Sequence, residues 1–333
     1  MIKLATHYKE QDHNNVQCQL CPAFCTLKVG ETGICGCRYN QNGKLYTENY
    51  GEVVTIAVDP IEKKPLYHFY PGSTILSTGA NGCNFGCACC QNWSISQKKV
   101  STVSLTPEQL VHLAGQHKSI GVAFTYTEPT IWFEYIYDSA QLLKKAGLQT
   151  VLVSNGYINR DPLEELLPHV NAINIDLKSM RSEFYQTVCK GQIEPVLESI
   201  KLIAKSDVHL ELTFLIIPGK NDSTEEIQDW VDFVASISET IPVHFSAYHP
   251  DYKMEVKATP SETLTHAMQI AQKRLKYVYL GNIALTDGKN TYCPKCQSLL
   301  IERTGSHTEI MALDNSICQH CQYHTNVIQD IIS

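Results

Sequence analysis

Three cysteines on one short loop are the residues of this chain best suited to chemistry. Cys83, Cys87 and Cys90 follow the spacing C-x3-C-x2-C between Gly82 and Gln91. Three thiolates at this spacing reach three corners of an iron-sulfur cube and leave its fourth iron without a protein ligand. A cube held by four thiolates carries electrons, whereas an open iron can chelate a small molecule. The spacing therefore predicts a catalytic 4Fe-4S site.

The loop also leaves two alternatives open. Zinc sites usually show paired C-x2-C units separated by a longer stretch, so a tight zinc loop is the weaker interpretation here. Cys89 stands directly before the last predicted ligand and offers an alternative thiol beside Cys90. The ligands within the loop therefore depend on which of these neighbouring thiols faces the metal.

A second group of cysteines lies near the N-terminus. Its predicted ligands are Cys18, Cys21, Cys25 and Cys35, and Cys37 could replace Cys35 as the fourth. Nearby glycines supply the tight turns that bring such a loop back on itself. Four thiolates at this spacing could close around either a second iron-sulfur cluster or a zinc ion, and the sequence leaves the metal open.

A third group lies near the C-terminus and forms two C-x2-C knuckles. Its members are Cys293, Cys296, Cys318 and Cys321. The stretch between the knuckles is slightly longer than usual, but the pattern resembles a zinc ribbon. Such a segment could dock a partner. We favour a structural zinc that stabilises a segment too short to form a core of its own.

Composition sets the class of protein. A chain of 333 residues, with 43% apolar and 18% charged residues, predicts one large globular domain with small appendages. The net charge of -7 argues against a nucleic-acid partner. We find neither a membrane-spanning apolar run nor a secretory signal, and so expect a cytoplasmic protein whose cysteines bind metals instead of forming disulfides. Cys189 stands alone and is typical of a buried small hydrophobe.

Beyond residue 73 the sequence alternates between strand and helix patterns. The predicted strands are residues 74–78, 121–126, 149–154, 172–177, 209–217, 243–248 and 277–280. The predicted helices are residues 107–118, 131–146, 162–167, 195–205, 224–236 and 261–274. Such repetition builds a parallel sheet with crossover helices. It predicts an α/β fold with a full or partial (β/α) barrel, whose chemistry gathers at the carboxyl ends of the strands.

Polar motifs follow these predicted strands at one rim. Glu128 follows the second strand and Asn155 the third, while Asp176 and Lys178 end the fourth and His249 follows the sixth. Each motif alone is a common helix start, turn or surface ion pair. Their shared position with the cysteine loop, which follows the first strand, indicates a functional site.

The regions outside the barrel are short. Strand-like stretches before residue 60 predict a small β-rich region, and residues 63–68 are typical of a surface connector. We therefore predict a Cys-rich N-terminal region at 1–71, a barrel core at 72–284 and a metal-binding knuckle at 285–333.

The cysteine loop, with its Cys-Gln-Asn-Trp continuation, resembles the radical S-adenosylmethionine (SAM) superfamily. Residues 72–282 are similar to enzymes like the pyruvate formate-lyase activating enzyme. The Cys-x-Leu-Cys-Pro start and the C-terminal knuckles resemble the radical SAM member of the AmmeMemoRadiSam system. The resemblance implies a six-stranded partial barrel (the radical SAM core) in which SAM ligates the open iron. An electron from the 4Fe-4S cluster would then cleave SAM to methionine and a 5'-deoxyadenosyl radical.

The resemblance also implies contacts to SAM. Glu128 would receive the amino group, Asp176 and Lys178 would contact the methionine part, and Asn155 and His249 would line the rest of the pocket. The charges agree, because the sulfonium and ammonium of SAM favour carboxylates and its carboxylate favours a lysine.

Three residues depart from the family pattern. Tyr126 and Thr127 stand where the family carries glycines before its glutamate. Thr213 occupies a strand position at which glycyl-radical activases often carry arginine.

These observations favour a radical SAM enzyme, an oxidoreductase-type activity that abstracts hydrogen from a substrate the sequence does not identify. The first alternative is an activase that makes a glycyl radical on a partner protein. Alternatives of another class are an iron-sulfur electron carrier or redox sensor, and a zinc-stabilised interaction protein. The expected partners are SAM, an electron donor of the flavodoxin or ferredoxin type, and Memo and AMMECR-type proteins.

Overall fold

The computed structural model describes residues 1–283, 288–305 and 307–329. A β-rich region comes first, as the sequence predicts, and consists of short antiparallel strands. They are β1 (Lys3–Leu4), β2 (Tyr8–Gln11), β3 (Asn15–Cys18), β4 (Thr26–Leu27), β5 (Arg38–Gln41), β6 (Lys44–Thr47) and β7 (Glu52–Val53). The buried guanidinium of Arg38 binds both carboxylate oxygens of Glu134, which attaches this region to a helix of the main domain.

The main domain contains one eight-stranded sheet. The strands of this region are β8 (Thr55–Pro60), β9 (Thr74–Gly79), β10 (Val103–Ser104, paired with β7 outside the sheet), β11 (Gly121–Phe124), β12 (Gln149–Ser154), β13 (Ala172–Asp176), β14 (His209–Ile216), β15 (Val243–Ala247) and β16 (Val278–Gly281). Their order in the sheet is β16-β15-β14-β13-β12-β11-β9-β8. Strand β8 is antiparallel to β9, and the other strands are all parallel. The seven predicted strands are thus confirmed at nearly their predicted bounds, because strands buried on both faces have nearly continuous apolar sequences.

Helices cover the outside of this sheet. They are α1 (Trp93–Ser96), α2 (Pro107–Gln116), α3 (Phe133–Lys145), α4 (Arg160–Leu166), α5 (Ser182–Phe184), α6 (Glu194–Ile203), α7 (Thr224–Ile237) and α8 (Ser261–Ala271). Local sequence explains their starts: Thr106 and Gln109 form a reciprocal capping box at α2, and Ser223 caps α7. The apolar faces then pack on the strands, as where Trp230 of α7 stacks on Phe214 of β14 at 5.4 Å.

Within the described residues, the edge strands β8 and β16 do not pair, so the sheet forms an open, partial barrel. The segment between β8 and β9 fills the gap at the amino end of the strands. His68 is fully buried and bonds the hydroxyl of Tyr279, while the backbone N–H groups of Tyr67 and His68 donate to Glu211. The prediction of a surface connector at 63–68 is therefore wrong, because these polar groups have partners on distant strands.

The C-terminal segment folds as a separate small unit. Its strands are β17 (Thr291–Tyr292), β18 (Leu299–Thr304), β19 (His307–Ile310), β20 (Leu313–Asp314) and β21 (Ile317–Cys318). It contacts the amino end of the sheet, where Asn326 donates to the carbonyl of Thr240 at 2.7 Å and Ile328 accepts from the N–H of Tyr70 at 2.8 Å. The unit therefore lies at the opposite end of the strands from the predicted site.

The predicted domain boundaries stay predictions. Strand β8 lies before the first boundary, after residue 71, yet it is hydrogen-bonded into the main sheet. The second boundary, between residues 284 and 285, lies outside the described residues. Among the described residues, no helix has both the length and the apolar character needed to cross a bilayer.

Candidate functional site

A cavity of about 320 Å³ opens at the carboxyl end of the parallel strands. Its lining contains seven of the eight residues predicted to hold the cluster or SAM, which come from the carboxyl ends of four different strands. They are Cys83, Cys87 and Cys90 with Glu128, Asn155, Asp176 and Lys178. The single cavity therefore combines three thiols with two carboxylates and one ammonium group.

The cysteine loop is fixed by backbone contacts to the segment that follows α5. The N–H of Gly86 donates to the carbonyl of Cys189 at 2.9 Å, and Ala88 donates to Val188 at 2.9 Å. A Cβ on Gly191 would lie 2.2 Å from the ring of Phe85, so only glycine allows this segment to pack against the loop. The loop is thus held on one side by a surface that the sequence motif does not reveal.

Each thiol of the loop has polar neighbours. The sulfur of Cys83 accepts from the N–H of Phe85 at 3.4 Å, and the sulfur of Cys90 lies 3.3 Å from the hydroxyl of Ser96. Burial raises the pKa of Cys83 well above its usual value, and burial likewise raises the pKa of Cys90. A hydrogen bond from Cys189 lowers the pKa of Cys87. Partly buried, soft thiol donors facing one cavity fit an iron-sulfur cluster, which replaces the thiol protons when it binds.

Cys89 also borders the cavity, and burial raises the pKa of its thiol to about 12. Its sulfur is thus a neighbour of the predicted ligands. The assignment of Cys90 as the third ligand remains a prediction.

Glu128 is buried and held by three donors. Its Oε1 accepts from the N–H of Thr130 at 3.0 Å and the hydroxyl of Ser154 at 2.7 Å, and its Oε2 accepts from the N–H of Asn155 at 2.7 Å. Burial raises the pKa of this carboxyl, although the three donors oppose the shift. Since a carboxylate offers about four acceptor positions, one position on Oε2 remains for a further donor.

Asp176 and Lys178 form an ion pair of 2.9 Å at the end of β13. The backbone of this segment is fixed from behind, because Trp230 donates to the carbonyl of Leu177 and Asn221 donates to that of Lys178. Burial alone would lower the pKa of Lys178, but the charges of Asp176 and of the nearby thiols hold it well above its usual value. The ammonium group is therefore charged at the edge of the cysteine loop.

One predicted site residue lies away from the cavity. His249 is exposed and is not among the described residues that line the cavity, so its predicted contact with SAM has no geometric support.

Tyr126, which departs from the family pattern, has a φ of 70°, a left-handed conformation that favours glycine. Its hydroxyl donates to Asp59 at 3.0 Å.

The C-terminal cysteines are already close together. The sulfurs of Cys293 and Cys321 are 3.5 Å apart and those of Cys296 and Cys318 are 3.7 Å apart. A tetrahedral zinc ion with bonds of about 2.3 Å holds its sulfurs about 3.8 Å apart, so this group fits one metal ion of that size. No described residue of this unit lines the cavity.

The N-terminal cysteines are arranged differently. Cys18, Cys21 and Cys35 are buried and Cys25 is partly exposed. Among the residues that the structure describes, only the C-terminal group has three or more candidate metal-binding atoms all within 4.8 Å of one another. The N-terminal thiols are therefore spaced more widely than a single ion requires.

Sequence reasoning missed two residues beside the cluster loop. Cys189 is fully buried next to Cys87, and Ser96 contacts Cys90. No flanking pattern marks Cys189, because its position depends on a short π-helix at Tyr185–Cys189. Ser96 lies close after the motif, and its spacing alone could have suggested a contact.

Comparison with known proteins now adds to this geometry. The profile described as Radical SAM superfamily matches residues 78–234, which include the cysteine loop, Glu128 and Lys178. The chain is also 43% identical to the uncharacterized protein MJ0808 of Methanocaldococcus jannaschii, over 98% of this chain and 100% of that protein. The chain belongs to the radical SAM superfamily. It is therefore a radical SAM enzyme, whose cofactors are a 4Fe-4S cluster and SAM and whose reaction requires a reductant.

Two further relatives of this radical SAM chain are activating enzymes. It is 25% identical to the pyruvate formate-lyase 1-activating enzyme of Escherichia coli, over 58% of this chain and 86% of that enzyme. The solved structure of a domain of the pyruvate-formate lyase-activating enzyme from Bacteroides vulgatus is 24% identical, with a TM-score of 0.44, and covers 49% of this chain and 99% of that domain. The similarity to the Escherichia coli enzyme confirms the predicted resemblance to pyruvate formate-lyase activating enzymes. The resemblance to the radical SAM member of the AmmeMemoRadiSam system stays a prediction.

Proposed function

We propose that Cys83, Cys87 and Cys90 hold the 4Fe-4S cluster and that the carboxylates and lysine beside them hold SAM. The observation that carries this proposal is the shared cavity, in which three thiols face two carboxylates and an ammonium group. When bound, the cluster would supply the electron for cleavage of SAM and so for hydrogen abstraction from a substrate. The lining residues would hold SAM and leave the open side of the cavity to that substrate.

In this proposal Glu128 orients the amino group of SAM. Its remaining acceptor position on Oε2 would accept a hydrogen bond from the ammonium group of SAM. Its three protein donors keep the carboxylate from rotating. Because the group is buried, a hydrogen bond from a charged ammonium stabilises the ionised carboxylate more strongly than a bond in water would. Glu128 also fixes the loop of Asn155 through the N–H of that residue.

Asp176 and Lys178 act on the methionine part. The ammonium of Lys178 attracts the carboxylate of SAM, and Asp176 keeps this lysine charged and faces the positive sulfonium. Asn155 donates to the sulfur of Cys83, so it links the SAM pocket to a cluster ligand. Since His249 is exposed in the structure, we give it no part in this step.

A second candidate is the activation of a partner protein by a glycyl radical. It is favoured by the similarity to proteins named as pyruvate formate-lyase activating enzymes. Thr213 lines the cavity at the strand position where such activases often carry arginine, so the contact to a protein substrate would differ here. Memo and AMMECR-type proteins, expected from the AmmeMemoRadiSam resemblance, are the partners we propose to test first.

Two accessory features complete the proposal. The C-terminal cysteines hold a structural zinc ion, as their sulfur spacing supports. The enzyme acts in the cytoplasm, where thiols stay reduced and donors of the flavodoxin or ferredoxin type are present.

Isotope transfer distinguishes a protein substrate from a small one. The anaerobic enzyme is incubated with SAM, dithionite and an extract from cells grown on α-deuterated glycine, separated into protein and small-molecule fractions. Deuterium in 5'-deoxyadenosine formed with the protein fraction supports the activase, whereas 5'-deoxyadenosine formed only with the small-molecule fraction, labelled or not, supports a small substrate. No 5'-deoxyadenosine with either fraction would refute both.

A further inference from the structure

The N-terminal cysteines sit on two turns that pack against each other. The N–H of Cys18 donates to the carbonyl of Cys25 at 3.0 Å, which closes the first turn. The N–H of Gly36 donates to the carbonyl of Gly33 at 2.9 Å, which closes the turn that carries Cys35. A Cβ on Gly33 would lie 3.5 Å from the sulfur of Cys25, so the two turns are in contact.

The four thiols of this group stand on these two turns. Cys18, Cys21 and Cys25 belong to the first turn and Cys35 to the second, and all but Cys25 are buried. Because the backbone of Cys18 bonds that of Cys25 and the second turn touches the sulfur of Cys25, the turns bring the four thiols to one region. Bound metal would compensate their negative charges, because cationic iron or zinc neutralises thiolates.

Cys37 faces the segment before the main cysteine loop. Its sulfur lies 3.0 Å from the carbonyl oxygen of Asn81 and 3.4 Å from that of Cys35, so its one proton can bond either. Of the two candidates for the fourth ligand, Cys35 is the one on the turn closed by Gly33 and Gly36, and that turn contacts the sulfur of Cys25.

A buried donor without a partner lies beside these thiols. Arg38 is 1% exposed, and its terminal nitrogens bind Glu134 and the carbonyl of Thr6. Among the described residues, its Nε has no hydrogen-bond partner. The carbonyl of Arg38 accepts from the N–H of Gly33 at 2.8 Å, so this residue adjoins the turn that carries Cys35. An unpaired buried N–H is unfavourable, and the sulfur of an anionic cluster would satisfy it.

The spacing of the thiols favours a cluster over zinc. The same chain shows what a zinc-sized site looks like, because the four C-terminal sulfurs all lie within 4.8 Å of one another. The N-terminal thiols stand on two turns in contact without that close approach. An iron-sulfur cube binds each thiolate at a separate corner, so it needs the wider arrangement.

We propose that Cys18, Cys21, Cys25 and Cys35 hold a second 4Fe-4S cluster that passes electrons to the cluster at the SAM site. Four protein ligands leave this cluster no open iron, which suits it to electron transfer and not to substrate chelation. The relay role rests on the radical SAM function proposed above, whereas the metal site does not.

Two contacts join the groups. A Cβ on Gly82 would lie 2.4 Å from the carbonyl oxygen of Cys35 and 2.5 Å from the sulfur of Cys37, so the turn of Cys35 packs directly on the residue before Cys83. Asn84, beside Cys83, donates to the carbonyl of Tyr157 at 2.7 Å, and Asn159 donates to the carbonyl of Leu20, beside Cys21, at 3.0 Å. Electrons therefore have packed routes between the sites.

The outer edge of the second site reaches the surface at Cys25 and at the neighbouring Phe24, which is 44% exposed. A one-electron donor of the flavin or iron-sulfur class would be oxidised there by one electron. The second cluster would be reduced by that electron. It would be reoxidised when the electron passes to the SAM-site cluster, with no bond made or broken.

Metal content of the full chain tests the site. The variant with Cys83, Cys87 and Cys90 changed to alanine should, after anaerobic reconstitution, contain about four iron and four sulfide, plus about one zinc from the C-terminal knuckles. Its EPR signal should not respond to SAM. About two zinc and no iron, or one zinc and no iron, would overturn the proposal.

Matched variants locate the second cluster. The double variant Cys18→Ser, Cys21→Ser should contain half the iron of the wild type and keep the SAM-sensitive EPR signal. The control variant Cys37→Ala should contain as much iron as the wild type. Circular dichroism reports whether the double variant folds, and if it does not, the iron content of the alanine variant decides alone. Full iron in a folded double variant would contradict the assignment.

The relay is tested with a protein donor. Reduced flavodoxin should reduce the remaining cluster of the alanine variant, as seen by EPR. In the folded Cys18→Ser, Cys21→Ser variant, SAM cleavage driven by flavodoxin should fall at least tenfold while cleavage driven by dithionite stays within about twofold. Equal loss with both donors, or an unreduced cluster in the alanine variant, would refute the relay but leave the metal site standing.

Discussion

The side-chain amide of Asn155 donates a hydrogen bond to the sulfur of Cys83 at 3.8 Å and another to the side-chain Oδ1 of Asn84 at 2.9 Å. The backbone N–H of the same residue donates to Glu128. One asparagine therefore connects a predicted cluster ligand to the carboxylate proposed to bind SAM.

This contact predicts a change in reduction potential. Hydrogen bonds to cluster sulfurs stabilise the more negative, reduced form, so Asn155→Ala should lower the potential of the SAM-site cluster. A net loss of about 0.5 to 1.5 kcal/mol corresponds to roughly 20 to 65 mV for one electron. An EPR-monitored titration of protein with unchanged iron content measures it. An equal or higher potential would show that the bond does not act on the cluster.

Asp176→Asn should weaken SAM binding while iron and sulfide stay unchanged. Removing one charge-assisted interaction is worth roughly 1.5 to 3 kcal/mol, so the Kd should rise about 10- to 150-fold. The cluster EPR shift, titrated with SAM, reports the Kd. Asp222→Asn is the matched control, because this carboxylate binds the N–H of Gly219 outside the cavity. A similar Kd for SAM in both variants would show that Asp176 does not contribute to SAM binding.

Gly82→Ala should destabilise the chain and impair the cysteine loop. Gly82 has a φ of 98°, and an added methyl would collide with the carbonyl of Cys35. Gly147→Ala is the control, since Gly147 has a φ of 70° but open space around it. Urea unfolding should show a loss for Gly82→Ala that exceeds the control by roughly 1 to 3 kcal/mol. Equal losses would mean that only the backbone conformation matters.

The sequence predicted the features that depend on local pattern. Buried parallel strands are short apolar runs between turn residues, and the cysteine spacing is visible directly. What it did not predict depends on contacts between distant parts of the chain. His68 is buried because it meets Tyr279, and Cys189 reaches Cys87 because residues 86–88 pair with the backbone of 188–189. No short window contains both partners of such contacts.

The knuckle variant Cys318→Ser should lower stability without changing catalysis. Cys318 is fully buried in a small core of its own, and no described residue of that unit lines the cavity. A loss of about 2 kcal/mol lowers the Tm by roughly 4 to 8 °C. Calorimetry and the rate of SAM cleavage are measured on the same preparation. An unchanged Tm with lost turnover would make the knuckles a substrate-docking unit.

The central claim is that three thiols hold a cluster that cleaves SAM. The most direct measurement is the 5'-deoxyadenosine formed by anaerobic protein with SAM and dithionite, compared across single alanine variants of the four loop cysteines. The account predicts product from the wild type and from Cys89→Ala, and none from Cys83→Ala, Cys87→Ala or Cys90→Ala. Product from any of those three, or a wild type that binds only zinc and forms none, would contradict it.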